Sequence, residues 1–202
     1  MTTASRIDAH FAESIDAKAA ARAVLIEPTE RAARMLDTCL AGGGRVLICG
    51  NGGSAADSQH FAAELIGRFE SEREELSAIA LTTDTSILTA VANDYGYDEV
   101  FARQVRGLGR EGDVLVAIST SGKSMSIVRA IEAAGGRGMR VLALTGRDGG
   151  RIAAILGPDD IELRVPHART CRIQEIHLLL IHCLCDAIDA MRGFAQGTDT
   201  RE

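Results

Sequence analysis

The chain has almost no aromatic residues: Phe, Tyr and Trp together make up 3%, and Trp is absent. A core without large rings must be built from Ala, Val, Ile and Leu. That suits strands buried between helical layers and disfavours an aromatic-rich β-sandwich. There is no basic excess either, since 22 Lys plus Arg face 28 Asp plus Glu for a formal net charge of −6. The footprint of a nucleic-acid binder is therefore missing, and an anionic ligand must be held locally by backbone amides and hydroxyls. No apolar run reaches membrane-spanning length and the start does not read as a signal segment, so a soluble, cytoplasmic protein is expected. Cys39, Cys49, Cys171, Cys183 and Cys185 form no C-x-x-C pair. Their odd number reads as buried reduced thiols in preference to metal ligands.

What is present is globular: 202 residues, 46% hydrophobic and 25% charged, enough for one domain. Residues 7–41 have helical period, with a break expected at Pro28 between two helices. Five short apolar runs then read as strands buried on both faces: 45–49, 77–81, 114–118, 140–144 and 161–165. Between them lie helical stretches at 55–68, 85–92, 100–108, 125–134 and 150–156, and a long last helix spans 173–191. The alternation predicts an α/β fold, a five-stranded parallel sheet flanked by helices on both faces, with extra N-terminal helices. The expected division is 1–42 for those helices, which pack on the domain and in an oligomer, 43–193 for the sheet domain, and 194–202 for a flexible tail.

Two loops follow strands and open helices. Gly50-Asn51-Gly52-Gly53-Ser54-Ala55 matches the dinucleotide pattern G-x-G-x-x-[GA], but the acidic residue that pattern needs is misplaced. Glu70 and Glu72 precede the second strand, and Asp84 follows it too late. What survives is generic: glycines at a helix N-terminus offer free N–H groups to oxygen-rich ligands. Ser119-Thr120-Ser121-Gly122-Lys123-Ser124 suggests a nucleotide-triphosphate loop, but Ala117 stands where that motif requires Gly. Four hydroxyls beside helix amides suit a phosphate monoester, against the alternative that they merely cap the next helix. Ligands of open α/β sheets bind beyond the carboxyl ends of the strands, so both loops can line one crevice.

The two loops, the segments Thr82-Thr-Asp-Thr-Ser-Ile-Leu-Thr-Ala and Ala92-Asn-Asp-Tyr-Gly-Tyr, and the closing Arg172-Ile-Gln-Glu-Ile-His-Leu helix together resemble the sugar isomerase (SIS) domain family, which has a flavodoxin-like sheet. The resemblance covers nearly the whole chain. Within the family it is strongest to the branch that interconverts sedoheptulose 7-phosphate and D-glycero-D-manno-heptose 7-phosphate, the first step toward bacterial surface heptose. It implies a homotetramer with active sites between subunits, one zinc ion per site and a phosphorylated seven-carbon sugar as ligand. Carried over by position, the sugar meets Asn51, Gly52, Gly53, Asn93 and Asp94, and the phosphate meets Ser119, Thr120, Ser121 and Ser124. The resemblance gives Zn2+ the ligands His60, Glu64, Gln174 and His182, makes Glu64 and His182 catalytic, and brings Glu64 and Gln174 to the substrate as well. A second SIS branch binds the bacterial replication initiator without catalysis. It lacks the groups matching Glu64 and His182, and this chain has both.

Aldose–ketose isomerisation needs a base for carbon, a group to manage oxygen protons, and stabilisation of an enediolate. His60 and Glu64 lie at i and i+4 on one helical face, which suits a metal patch or a coupled acid–base pair. By spacing alone Glu64 can equally pair with Arg68, and a lone His in an apolar helix, such as His182, is more often a core residue; His177, five residues earlier and on another face, is the stronger core candidate. Gln174 and His182 are eight residues apart, about 12 Å along a straight helix, too far for one ion bonded at about 2 Å. Either they reach a given metal from different subunits, or Gln174 precedes the regular helix.

Overall fold

The computed structural model describes residues 1–194. The expected tail, 194–202, lies from residue 195 onward outside the described residues.

Five strands form one all-parallel sheet: β1 (Val46–Gly50), β2 (Ala78–Ala80), β3 (Val114–Ile118), β4 (Arg140–Gly146) and β5 (Ile161–Val165), in the order β2-β1-β3-β4-β5. Alternation along each strand divides the core. Val46, Ile48, Val114, Val116 and Ile118 face one helical layer, while Leu47, Cys49, Leu115 and Ala117 face the other. The first layer holds α1 (Thr3–Ala41), α2 (Gly53–Ile66) and α7 (Thr170–Met191). The second holds α3 (Thr85–Tyr95), α4 (Val100–Leu108), α5 (Met125–Gly135) and α6 (Gly150–Ile155). Small aliphatics fill both, as the scarcity of rings requires.

The expected break at Pro28 does not occur, and α1 is one 39-residue helix with Pro28 inside it. Proline removes the N–H that would serve the carbonyl of Val24. Val24 is 54% exposed, so water can serve that carbonyl instead. One residue on, Thr29 Oγ1 donates to Leu25 O at 2.6 Å and helps hold the turn. The inner side of α1 carries Ala17, Ala21, Leu25, Ala32 and Leu36, and the small side chains let it lie close along α7 and β5.

The cysteine expectation needs correction. All five thiols are free, but Cys171 and Cys183 are exposed; only Cys39, Cys49 and Cys185 are buried. Cys183 and Cys185 point to different faces of α7, as their spacing requires. Burial pushes the Cys49 and Cys185 thiols well up, leaving them protonated and inert. Among the described residues no helix is long and apolar enough to cross a membrane.

Candidate active site

The strand order reverses between β1 and β3, and the loops that follow these two strands flank that switch point, where open α/β sheets hold ligands. Asn51 is fixed from two sides: its Nδ2 donates to Ser126 Oγ at 2.9 Å, and Tyr97 Oη donates to its Oδ1 at 2.8 Å. Gly52 sits at φ +57, and a Cβ on Gly50 would lie 2.3 Å from Ser54 O, so the turn from β1 into α2 requires glycine. In the second loop Ser119 is buried and donates to Ser124 Oγ at 3.4 Å, while Ser121 Oγ accepts from Lys123 N at 3.2 Å. Ser124 is the N-cap of α5 yet makes no side-chain cap bond. The reading of these hydroxyls as mere helix caps therefore fails at the residue that should show it.

His60, Glu64 and His182 come together between α2 and α7. His60 Nε2 is 3.1 Å from Glu64 Oε1 and 3.1 Å from His182 Nε2, and the Phe69 ring packs 5.5 Å from the His182 ring. Arg68 does not take Glu64 as its partner; it reaches Glu72 and the carbonyl of Glu70. His182 is not a core residue. That role belongs to His177, fully buried, whose Nε2 meets Thr145 O at 2.9 Å and whose pKa burial lowers to about 4.

Gln174 does not join this trio. It lies inside the unbroken α7, which excludes the possibility that it precedes the helix, and its amide packs where a Cβ on Gly53 would stand, 2.4 Å from Nε2. Glu64 is eleven residues along α2 from Gly53, about 16 Å at 1.5 Å per residue. Within one protomer, then, the structure assembles two half-sites: the loops with Gln174, and His60, Glu64 and His182 further along the groove. Asn93 and Asp94 close α3 as an exposed pair, with Asn93 Nδ2 donating to Asp94 Oδ1 at 2.8 Å.

Four further residues around the candidate site were not singled out from the sequence. Tyr97 and Ser126 orient Asn51, and nothing in their spacing marks them. Asp57 lies one turn before His60, a spacing that could have drawn notice. Its Oδ2 is buried without a hydrogen-bond partner, and burial raises its pKa against the pull of His60. Arg73 is the fourth. Its buried guanidinium donates to Glu64 O at 2.6 Å and Leu65 O at 2.8 Å and pairs with Asp189 at 2.8 Å, so the end of α2 is tied to α7.

The trio's donor types, two imidazoles and a carboxylate, are those zinc takes. His60 Nε2 carries either one proton or one lone pair in the ring plane, so it can complete only one of these two contacts as a hydrogen bond. Separations near 3.1 Å approach the roughly 3.3 Å edge of a tetrahedral set bonded at about 2 Å. Among the described residues no group of three or more His, Cys, Asp or Glu is placed so that it could hold a metal ion, and Gln174 stands at the far half-site, so one protomer does not by itself supply a metal site.

A SIS domain model matches residues 10–146. A phosphoheptose isomerase of Neisseria meningitidis is 63% identical over 190 residues, covering 94% of this chain and 96% of that protein. The solved phosphoheptose isomerase of Neisseria gonorrhoeae superposes with a TM-score of 0.90 at 60% identity, over 94% of this chain and all of that one. That of Francisella tularensis gives 0.92 at 47% identity, with the same coverage. With the switch-point loops and the carboxylate–imidazole groove in place, these similarities lead to one assignment: the chain belongs to the SIS domain family.

Proposed function

We propose that this protein is an aldose–ketose isomerase that interconverts sedoheptulose 7-phosphate and D-glycero-D-manno-heptose 7-phosphate, the entry to ADP- or GDP-linked heptose and the lipopolysaccharide core. The observation that carries the chemistry is the contact of Glu64 and His182 with one His60 in the α2–α7 groove. It puts a carboxylate and an imidazole within reach of neighbouring atoms of one sugar. Relatives named for this activity, above 60% identical over nearly the whole chain, support the enzyme over the initiator-binding alternative.

In the ketose-to-aldose direction Glu64 takes a proton from C1 as the C2 oxygen is protonated, giving the enediol. Glu64 then returns the proton to C2 while the C1 oxygen loses its own. His182 carries protons between the two oxygens. Ser119, Thr120, Ser121 and Ser124 hold the phosphate, and Asn51, Gly52, Gly53, Asn93 and Asp94 take the sugar hydroxyls.

Gln174 and His182 are about 12 Å apart by helix rise, so in this reading the loops and Gln174 of one copy work with His60, Glu64 and His182 of another. A tetramer with shared sites accounts for two further features. The outer side of α1 exposes Ile7, Phe11 and Ile15 at 54%, 68% and 66%, one turn apart, and α3 has no buried residue. Zinc would be held by His60, Glu64 and His182, with Gln174 from the neighbouring copy; Glu64 would then move protons with its unbound oxygen, and His182 would serve as the oxygen acid–base only with the ion released. Bound there, it would supply Lewis-acid polarisation of the substrate's oxygens. The cytoplasm, where sugar phosphates are made, is the expected compartment.

Turnover of sedoheptulose 7-phosphate, abolished in Glu64→Gln and His182→Asn, tests the activity. Initiator binding without turnover would reverse the reading. Zinc added to chelated protein should raise the melting temperature of wild type and not of His60→Ala; equal shifts would contradict the ligand assignment.

A further inference from the structure

The phosphate loop does not stand alone. Gly122 adopts φ +63, and a Cβ there would lie 1.9 Å from Gly149 O, so the loop rests directly on the turn between β4 and α6. A Cβ on Gly150 would lie 2.7 Å from Ser121 O, and Ile152 N donates to Gly122 O at 3.0 Å. The turn is itself held in an unusual shape. Arg147, Gly149 and Gly150 all have positive φ, at 57, 76 and 53, and among the described residues Arg147 is the one non-glycine there. A strained conformation of this kind persists where its surroundings over-determine it.

The surroundings are polar and specific. Thr145 is fully buried and donates from Oγ1 to Glu162 Oε1 at 2.6 Å. Arg164 closes on the same carboxylate, Nε to Oε1 at 3.0 Å and Nη2 to Oε2 at 2.5 Å. A Cβ on Gly149 would meet Glu162 Oε1 at 2.5 Å and Arg164 Nε at 2.8 Å. The carboxylate and guanidinium thus form the floor under the turn, and the turn is the floor under the phosphate loop.

We propose that Thr145, Glu162 and Arg164 are positioning residues for phosphate recognition, acting through the Gly149–Gly150 turn on the backbone at Ser121 and Gly122. The proposal rests on the reading of residues 119–124 as the phosphate loop. None of the three is among the residues assigned to the substrate. Their effect falls on binding of the phosphate end, not on the proton transfers at Glu64 and His182, which lie on other elements.

The experiment pairs steady-state kinetics on sedoheptulose 7-phosphate with competition by inorganic phosphate. Glu162→Ala should raise KM and the phosphate inhibition constant together by about tenfold, with kcat within about twofold. Glu162→Gln keeps an acceptor for Thr145 and should recover part of the loss. Thr145→Val repeats the test should Glu162→Ala fold poorly. Arg192→Ala, which removes an ion pair with Asp37 at the far end of α7, should leave KM unchanged and controls for general loss of stability. If inorganic phosphate competes in wild type but its inhibition constant is the same in the variants, the proposal falls alone. If phosphate does not compete in wild type and Ser121→Ala leaves KM unchanged, the phosphate-loop reading falls and the proposal with it.

Discussion

Gln174 and His182 stand eight residues apart on the unbroken α7, one packed on Gly53 and the other 3.1 Å from His60. Within one protomer the two side chains therefore face two places; in the proposed shared site a second copy brings them together. Ile7, Phe11 and Ile15 form the exposed apolar stripe on α1 best suited to that contact. Phe11→Glu should leave the helical circular dichroism intact while sedimentation shows a smaller species and most isomerase activity is lost. Full activity in the smaller species would separate assembly from catalysis.

Gly122 is the loop position least able to carry a side chain. Alanine there meets Gly149 O and holds a positive φ that costs about 1–3 kcal/mol for a non-glycine residue. Gly122→Ala should raise KM for the phosphosugar well before it unfolds the domain, as read by kinetics alongside thermal melting. An unchanged KM would mean that the loop does not meet the phosphate.

Arg73 and Asp189 are a buried pair whose partners include the carbonyl of Glu64. Removing one member strands the other's charge, so Asp189→Ala should cost about 3–5 kcal/mol in denaturant unfolding. A loss under 1 kcal/mol would show that water reaches Arg73 readily.

His177 makes the fold sensitive to acid. Its folded pKa is lowered to about 4 by burial, while the unfolded chain titrates near 6.5. Protons therefore favour the unfolded state. The stability is whole above about pH 6.5, falls as pH drops through that value toward 4, and is lost in full only below 4. The sum is about 3 kcal/mol at 1.36 kcal/mol per unit. Urea unfolding of wild type and His177→Leu at pH 7 and 4.5 checks this: the variant should lose less between the two. Equal losses would place the acid sensitivity elsewhere.

Much of the fold was legible because the signals were local. Residues 114–118 and 161–165 are strands with the expected bounds, and 100–108 is a helix with the expected bounds; short apolar runs bounded by Gly and polar residues left little choice. Pro28 misled because its cost depends on whether Val24 O can find water, a property of the packed helix. Among the candidate residues, His60 and Glu64 were visible as an i, i+4 pair, and His177 as the better core histidine. Tyr97 and Ser126 were not, since their role depends on two chain segments meeting at Asn51. Thr145 and Glu162 were hidden for the same reason: their contact crosses β4 and β5. The eight-residue spacing of Gln174 and His182 was readable from the sequence, but that both lie within one unbroken helix was not.

The sharing of one active site between two copies is tested most directly by complementation. Glu64→Gln removes the proton carrier from one half-site, and Ser121→Glu sets a negative charge against the phosphate in the other. Each variant alone should be inactive on sedoheptulose 7-phosphate. Co-expressed and purified as mixed oligomers, they should regain activity, because some sites combine an intact loop from one copy with an intact Glu64 from the other. Mixed oligomers as inactive as either variant alone would contradict a shared site and require each protomer to catalyse with its own residues.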